Sequence, residues 1–449
     1  MALVAVCAGY LLAPMGMAAV NVAIPALAQD LQASAVKVAW LPTVYILSNV
    51  AFLLPVGKLA DMYGRKRMYV GGLILNCIAA LFCTFSSNID VILFWRFVQG
   101  IAAAMIFGTG VAIVSSIVPD QKRGMALGIV ASCVYFGLTL APALGGYLTE
   151  LYGWRAVFFF QVPPIVLLIG FILLYLKGEW RHAVKGRYDV YGTFIFVAFT
   201  TSLVFGLSFI TELQGFLMFV LSLLLLAAFI YHQSQQSHPL IRVQLFRENR
   251  LFSLSLLTSF FMYGSNFALL FLLSLYLQFI LGYSPSHAGN ILLLQALAMA
   301  IIAPFAGKLA DRFNSRIVAT LGCLGVALGL VVLNFLDMHS QAEQVGVGLV
   351  VVGIGFGLFS TPNNKAIMSS VSSDNVGIAS AAMNLGRTLG NLVGMSLVNV
   401  MVIYFIGDAI ISELVKNELM LTVSMALKMS LLMVCLACVG SSMRGKNVL

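Results

Sequence analysis

Charge is scarce in this sequence. Only 9% of its 449 residues are charged, against roughly 25% in an ordinary soluble domain. A soluble chain with 61% hydrophobic residues would lack the polar surface to cover its core. Soluble enzymes, disordered regulators and secreted disulfide scaffolds are thereby excluded. Cysteine is also sparse, and all seven cysteines fall in apolar segments, which points to reduced packing residues. Cys435 and Cys438 form a CxxC with no partner pair or nearby histidine, so they read as lipid-facing or core. None of the 16 acidic residues falls at the centre of an apolar run. His182, His232, His238, His287 and His339 all lie in connections or at run ends. No nucleophile–base pair, metal cluster or phosphate loop is present, so neither enzyme chemistry, nor a cofactor, nor a metal is expected.

What is present is a succession of apolar runs: 3–28, 38–57, 69–87, 91–114, 124–148, 156–177, 190–210, 213–231, 251–280, 288–306, 317–336, 345–368, 376–405 and 420–442. A membrane helix needs about 20 apolar residues. The chain is therefore expected to be an all-α membrane protein with fourteen transmembrane helices. No basic residue precedes the first run, whereas a cleaved signal peptide has a basic start and a shorter apolar core. That run is expected to be retained as span one.

The net charge of +9 follows the positive-inside pattern rather than a nucleic-acid surface, since no hydrophilic domain carries it. Nineteen lysines and arginines lie on one side, at 58–67, 122–123, 177–187, 242–250, 308–316, Lys365 and the tail. The other side has Lys37, Arg155, Lys416 and Lys428. Both termini are expected in the cytoplasm.

The sequence GKLAD occurs at 57–61 and again at 307–311. A looser match follows, Gly100-Ile101 against Gly353-Ile354 and Gly124 and Ala126 against Gly377 and Ala379. Two six-helix bundles, 1–177 and 251–449, are expected to be related by duplication. The segment 178–250 inserts two central helices between them. Parallel repeats around a midplane site are a common transporter plan.

Three motifs carry chemistry. GKLADMYGRKR at 57–67 places Gly57, Asp61, Gly64 and Arg65 where two helices meet a basic connection. It reads either as a gate or as a tight loop with a capping aspartate. RFVQGIAAA at 96–104 puts Arg96, Gln99 and Gly100 on one helix face. An arginine inside a span costs about 2.5–3.5 kcal/mol on insertion scales and needs a partner or a wet cavity. It lines a substrate cavity or makes a structural ion pair or carbonyl clamp. GLTLAPALGG at 137–146 contains Gly137, Pro142, Gly145 and Gly146; it reads as a gating helix or as a kinked packing helix. On span thirteen, Asn384, Arg387 and Asn391 form a polar stripe beside a ridge of Gly386, Gly390 and Gly394. The stripe reads as cavity lining, or Arg387 as a clamp on carbonyls. Asn266, Gln278, Gln295, Asn363 and Asn364 add polar groups to the same half.

These motifs, in this order, resemble the major facilitator superfamily, and its fourteen-span drug:proton antiporter branch in particular. VNVAIP at 20–25, AWLPTVYIL at 39–47, WRAVFFFQVP at 154–163, YLQFILGYSPSHAG at 276–289 and NLGRTLG at 384–390 extend the resemblance over nearly the whole chain. It implies alternating access, export of small amphipathic compounds, a possible role for protons, and a monomer embedded in lipid with a small-molecule substrate and no nucleic-acid partner. It further implies a multi-pass protein of the plasma membrane, the inner membrane in a bacterium. In that branch the fifth-span motif is associated with antiport; Ala141 stands here before Pro142 where glycine is usual. The branch usually carries an aspartate five residues before the asparagine of span one. Here that asparagine is Asn21 and the position holds Gly16. Two span arginines without a central acid fit an anionic or neutral substrate. A uniporter or importer of an organic anion and a non-transporting receptor are the alternatives.

Overall fold

In a computed structural model, residues 1–118, 120–176, 178–179, 188–236, 239–371, 376–410 and 415–444 are described. The helices are α1 (Ala2–Asp30), α2 (Ala35–Tyr63), α3 (Arg65–Thr84), α4 (Ile89–Ile117), α5 (Asp120–Tyr152), α6 (Arg155–Phe159), α7 (Val162–Tyr175), α8 (Val190–Ser208) and α9 (Leu213–Gln235). They continue with α10 (Val243–Glu248), α11 (Arg250–Leu275) and a π turn (Tyr276–Ile280). The last are α12 (Pro285–Arg312), α13 (Ser315–Leu333), α14 (Ala342–Ser369), α15 (Val376–Phe405) and α16 (Lys416–Ser442). Among the described residues, 14 helices are long and apolar enough to cross a membrane, so the fold is the all-α, fourteen-span arrangement expected.

Short polar side chains start many of the helices. Ser34, Asn88, Asp189, Asn249, Ser284 and Asn314 each accept a hydrogen bond from a backbone N–H of the first turn, which satisfies donors that the helix cannot. The run expected as span six differs from expectation. It is two helices, α6 and α7, separated at Phe160 and Gln161. Pro163 and Pro164 follow directly and lack the N–H that would continue α6. By contrast, α5 runs through Pro142 unbroken. The connection after α9 contains the short amphipathic α10. The calls on Lys177, Arg181, Lys185, Arg187, Lys446 and the boundary at 177 lie outside the described residues.

In the first six spans α1 packs on α5, and α2 and α3 pack on α4; in the last six α11 packs on α15, and α12 and α13 pack on α14. Glycines make these contacts close, as membrane helices require. The contacts repeat with the sequence. A methyl group at Gly100 would lie 2.1 Å from the Tyr45 carbonyl oxygen, and one at Gly353 would lie 2.3 Å from that of Gln295. Gly57 faces Gly108, and Gly307 faces Thr361. One helix of each pair is shifted by 250 in number and its partner by 253.

The two groups meet along α5 with α12 and α2 with α15, and the pair α8–α9 leans on α15 and α2. Of the most apolar window of α2, 89% is buried, against 17% for α9; α2 is central and α9 faces outward.

Candidate functional site between the two helix groups

Hydrogen bonds that join the two groups show how the molecule stands. The side carrying Met1 is the terminal side, and the other the distal side. At the distal end Ser274 donates to the Asn21 carbonyl at 3.1 Å, and Gln278 to that of Val22 at 3.1 Å. The Ser286 N–H donates to Glu150 at 3.0 Å, Asn290 to the Tyr147 hydroxyl at 3.2 Å, and the Ala35 N–H to the Ala409 carbonyl at 2.9 Å. Asn399 donates to Thr43 at 3.2 Å. At mid-height Tyr135 of α5 meets Ser360 of α14 at 2.5 Å and Tyr263 of α11 at 3.3 Å. Among the described residues the hydrogen bonds between the groups lie at mid-height and on the distal half, so the groups are latched distally.

The fifth-span motif sits in that latch. Gly137 and Gly145 let α5 touch α1: added methyl groups would lie 2.4 Å from the Leu11 and Ala19 carbonyl oxygens respectively. Gly146 and Pro142 face the other way, onto α12. A methyl at Gly146 would lie 2.4 Å from the Pro285 carbonyl oxygen, and one at Gly289 would lie 2.3 Å from that of Pro142.

The GKLAD connection forms a charged clasp on the terminal side. Arg65 Nε donates to Asp61 at 2.8 Å, and Arg65 Nη1 donates to the Ala112 carbonyl at 2.9 Å. Gly64 turns the chain with φ of 121°, which a side chain rarely adopts. Glu179 presses on that turn and accepts from the Lys66 N–H at 2.7 Å. In the second copy the cation comes from elsewhere: Lys365 on α14 holds Asp311 and the Ala310 carbonyl. Lys365 stands where Ala112 stands in the first copy, and Ser315 where Arg65 stands.

Arg96 is 1% exposed. Its Nη1 donates to Gln99 at 2.9 Å, and its guanidinium lies 4.4 Å from the Tyr45 ring centroid. Nε and Nη2 have no hydrogen-bond partner. The expected i, i+3 pair is therefore formed, enclosed between α2 and α4 rather than open to the gap between the groups.

Arg387 is placed differently, half-buried on the face of α15 toward α11 and α14. Nη2 donates to Asn364 and contacts the Met383 sulfur at 3.4 Å. The guanidinium lies 4.9 Å from the Tyr263 ring centroid, and Nε has no partner. Asn384 and Asn391 are half-buried on the same stripe, and Asn391 Oδ1 is unpartnered. The ridge of Gly390 and Gly394 does face a neighbouring helix: methyl groups there would lie 2.1 Å from the Phe260 and Gly264 carbonyl oxygens respectively. Asn266 accepts from Gln295, and Asn363 donates to Ser259 at 2.7 Å.

Sequence reasoning missed Tyr45, Tyr135, Tyr263 and Gln161. The signal for the tyrosines was their depth, because a tyrosine far from the membrane surface must find a partner for its hydroxyl. Gln161 occupies the space beside Gly16. A methyl at Gly16 would lie 2.2 Å from Gln161 Oε1, and Gln161 is 5% exposed. A neutral amide thus fills the place where a carboxylate on span one would project. Asp30, at the distal end, accepts from Trp154 at 2.9 Å and Arg155 at 2.8 Å.

Helix groups with repeated contacts, hydrogen-bonded to each other at mid-height and at one end and carrying polar mid-span side chains, have the build of a membrane carrier. The family model for the Major Facilitator Superfamily matches residues 6–395, and the chain belongs to that family. It is 29% identical over 383 residues to the multidrug resistance protein Stp of Mycobacterium tuberculosis (strain CDC 1551 / Oshkosh), covering 84% of this chain and 71% of that one. It is 28% identical to the riboflavin transporter RibZ of Clostridioides difficile (strain 630), covering 87% and 86%. It is 31% identical to the uncharacterized transporter YebQ of Escherichia coli (strain K12), covering 91% and 90%. A solved bacterial homolog of the human lysosomal transporter Spinster, inward-facing and unoccupied, superposes with a TM-score of 0.70 at 16% identity, covering 99% and 96%. The protein is a multi-pass membrane transporter, not an enzyme.

Proposed function

We propose that this transporter exports small amphipathic compounds that are neutral or anionic, as a monomer in lipid, by rocking one six-helix bundle (1–177) against another (251–449). The observation that carries the charge preference is the half-buried mid-span cation Arg387, whose Nε is unpartnered and which is in no ion pair among the described residues. Desolvated positive charge repels cations strongly and welcomes an anion or a neutral acceptor. The multidrug resistance protein among the relatives supports export. With both termini cytoplasmic, as the basic side implies, the distal latch is the outer one and the protein opens to the cytoplasm, in the bacterial inner membrane. Gly16 and its neighbour Gln161 offer no titratable group, so if transport is coupled to protons the coupling uses Asp30, Glu150 or the substrate itself.

The riboflavin transporter among the relatives favours a second reading, a carrier of one organic solute on the same fold. The test compares cells with and without the protein for resistance to, and accumulation of, a panel of cationic, neutral and anionic amphiphiles. Lower accumulation of several neutral and anionic members is expected. Raised accumulation of a single compound would replace export with uptake, and protection against permanent cations alone would overturn the charge preference.

A further inference from the structure

The cluster around Arg387 has a composition that specifies a ligand more narrowly than the exporter reading, on which this inference rests. One cation lies among neutral groups. Asn364 and Met383 engage one nitrogen of the guanidinium, Nη2. Tyr263 covers one face at 4.9 Å. The Nε edge is left without a partner, and so is Asn391 Oδ1, one helical turn further along α15. The Tyr135 hydroxyl, from the opposite group of helices, reaches the same place and meets Ser360 and Tyr263. Tyr135, Tyr263, Asn364, Met383 and Arg387 are all half-buried, so the cluster keeps some exposure and joins side chains of both groups.

A guanidinium with an unpartnered Nε–H can give that donor to a carboxylate in a charge-assisted hydrogen bond. One positive charge with no acidic neighbour among the described residues is neutralised by one negative charge. Tyr263, Tyr135 and the Met383 thioether supply flat and polarizable surface for a ring. We propose that this cluster is a binding site for a flat, amphipathic monocarboxylate. The carboxylate lies along the Nε edge of Arg387 and the ring lies against Tyr263 and Tyr135. Because Tyr135 belongs to one group and Arg387 to the other, the bound molecule touches both.

The test uses the full chain in lipid nanodiscs near neutral pH. Calorimetry compares 1-naphthoate with 1-naphthamide, which has the same ring without the charge. Naphthoate is expected to bind at least about ten-fold tighter. Arg387→Gln should bring the two within about two-fold. Asn364→Asp should do the same with the arginine retained, because an internal carboxylate then occupies the guanidinium; it changes no volume and decides the matter should Arg387→Gln not fold. Equal affinity of the two compounds for the unaltered protein would overturn the proposal, as would a naphthoate advantage that survives in the folded variants. Export of neutral dyes from cells is scored separately. Export without naphthoate preference removes this site alone, whereas naphthoate preference without export removes the exporter reading and leaves the site.

Discussion

Arg96 holds a charge at a depth where insertion costs about 2.5–3.5 kcal/mol, and its closest support is a ring and an amide. Its planar group stacks on Tyr45 while Nη1 reaches Gln99. Arg96→Ala should cut flux in proteoliposomes by at least about ten-fold, and Arg96→Lys should recover little of it, because an ammonium cannot stack and fork at once. Recovery to half or more by lysine would mean that charge alone suffices. Asp61 is the corresponding residue on the terminal side. Its bond to Arg65 at 2.8 Å joins the end of α2 to the start of α3, and Asp61→Asn should slow transport while protein in the membrane stays near normal. Lost protein with normal turnover per molecule would assign it a capping role instead. Sequence spacing made Arg96 with Gln99 visible because i and i+3 share a helix face. The partners of Tyr45 and Gln161 were not legible, because they lie on other helices and no spacing along one helix reports them.

Among the elements, the repeat was the most readable feature. GKLAD appears twice as letters, and the structure repeats the helix contacts at the same offsets. The cation that meets the aspartate moved from Arg65 to a different helix, Lys365, and a sequence shift cannot follow a charge that changes position. The break between α6 and α7 was likewise hidden inside a continuous apolar run, with only the Pro163-Pro164 pair to mark it. The inserted pair α8–α9 is tied by Asp189, which is 8% exposed. It accepts from His232 at 2.8 Å, Gln233 at 2.7 Å and the Gly192 N–H at 2.8 Å. Burial by itself pushes the Asp189 carboxyl up; the hydrogen bonds from His232, Gly192 and Gln233 outweigh it and hold the group below the usual aspartate value. A depressed pKa in the folded state gives stability that is present above the unfolded value and is lost as pH falls through the folded one. Asp189→Asn should therefore lower the melting temperature at neutral pH, by an amount corresponding to about 1.5–3 kcal/mol. The gap to the unaltered protein should close below about pH 4. A gap that stays unchanged well below that pH, where the folded carboxylate is itself protonated, would show that its charge contributes nothing to the clasp.

For the molecule as a whole, the hydrogen bonds between the two helix groups lie at mid-height and at the distal end among the described residues, and the closest approach there is backbone on backbone. Gly146 lies against Pro285 and Gly289 against Pro142, with no room for even a methyl group. Such contacts exist in one state of a carrier and must part in the other, since rocking opens the side that was closed. A bulky side chain at either glycine penalises the distally closed state and leaves the distally open one unaffected. Gly289→Leu should shift the population toward distal opening and reduce flux by about ten-fold or more, because the cycle needs both states. A cysteine placed at Gln278, which now bonds the Val22 carbonyl across the gap, reports the shift directly. In intact cells an impermeant maleimide should label it slowly in the parent protein and several-fold faster once Gly289→Leu is added. The same pair of measurements tests the orientation that the basic residues imply. Equal labelling with and without Gly289→Leu would mean that this glycine contact does not close the distal side. Labelling seen only in inverted vesicles would place the distal side in the cytoplasm and reverse the direction assigned to transport.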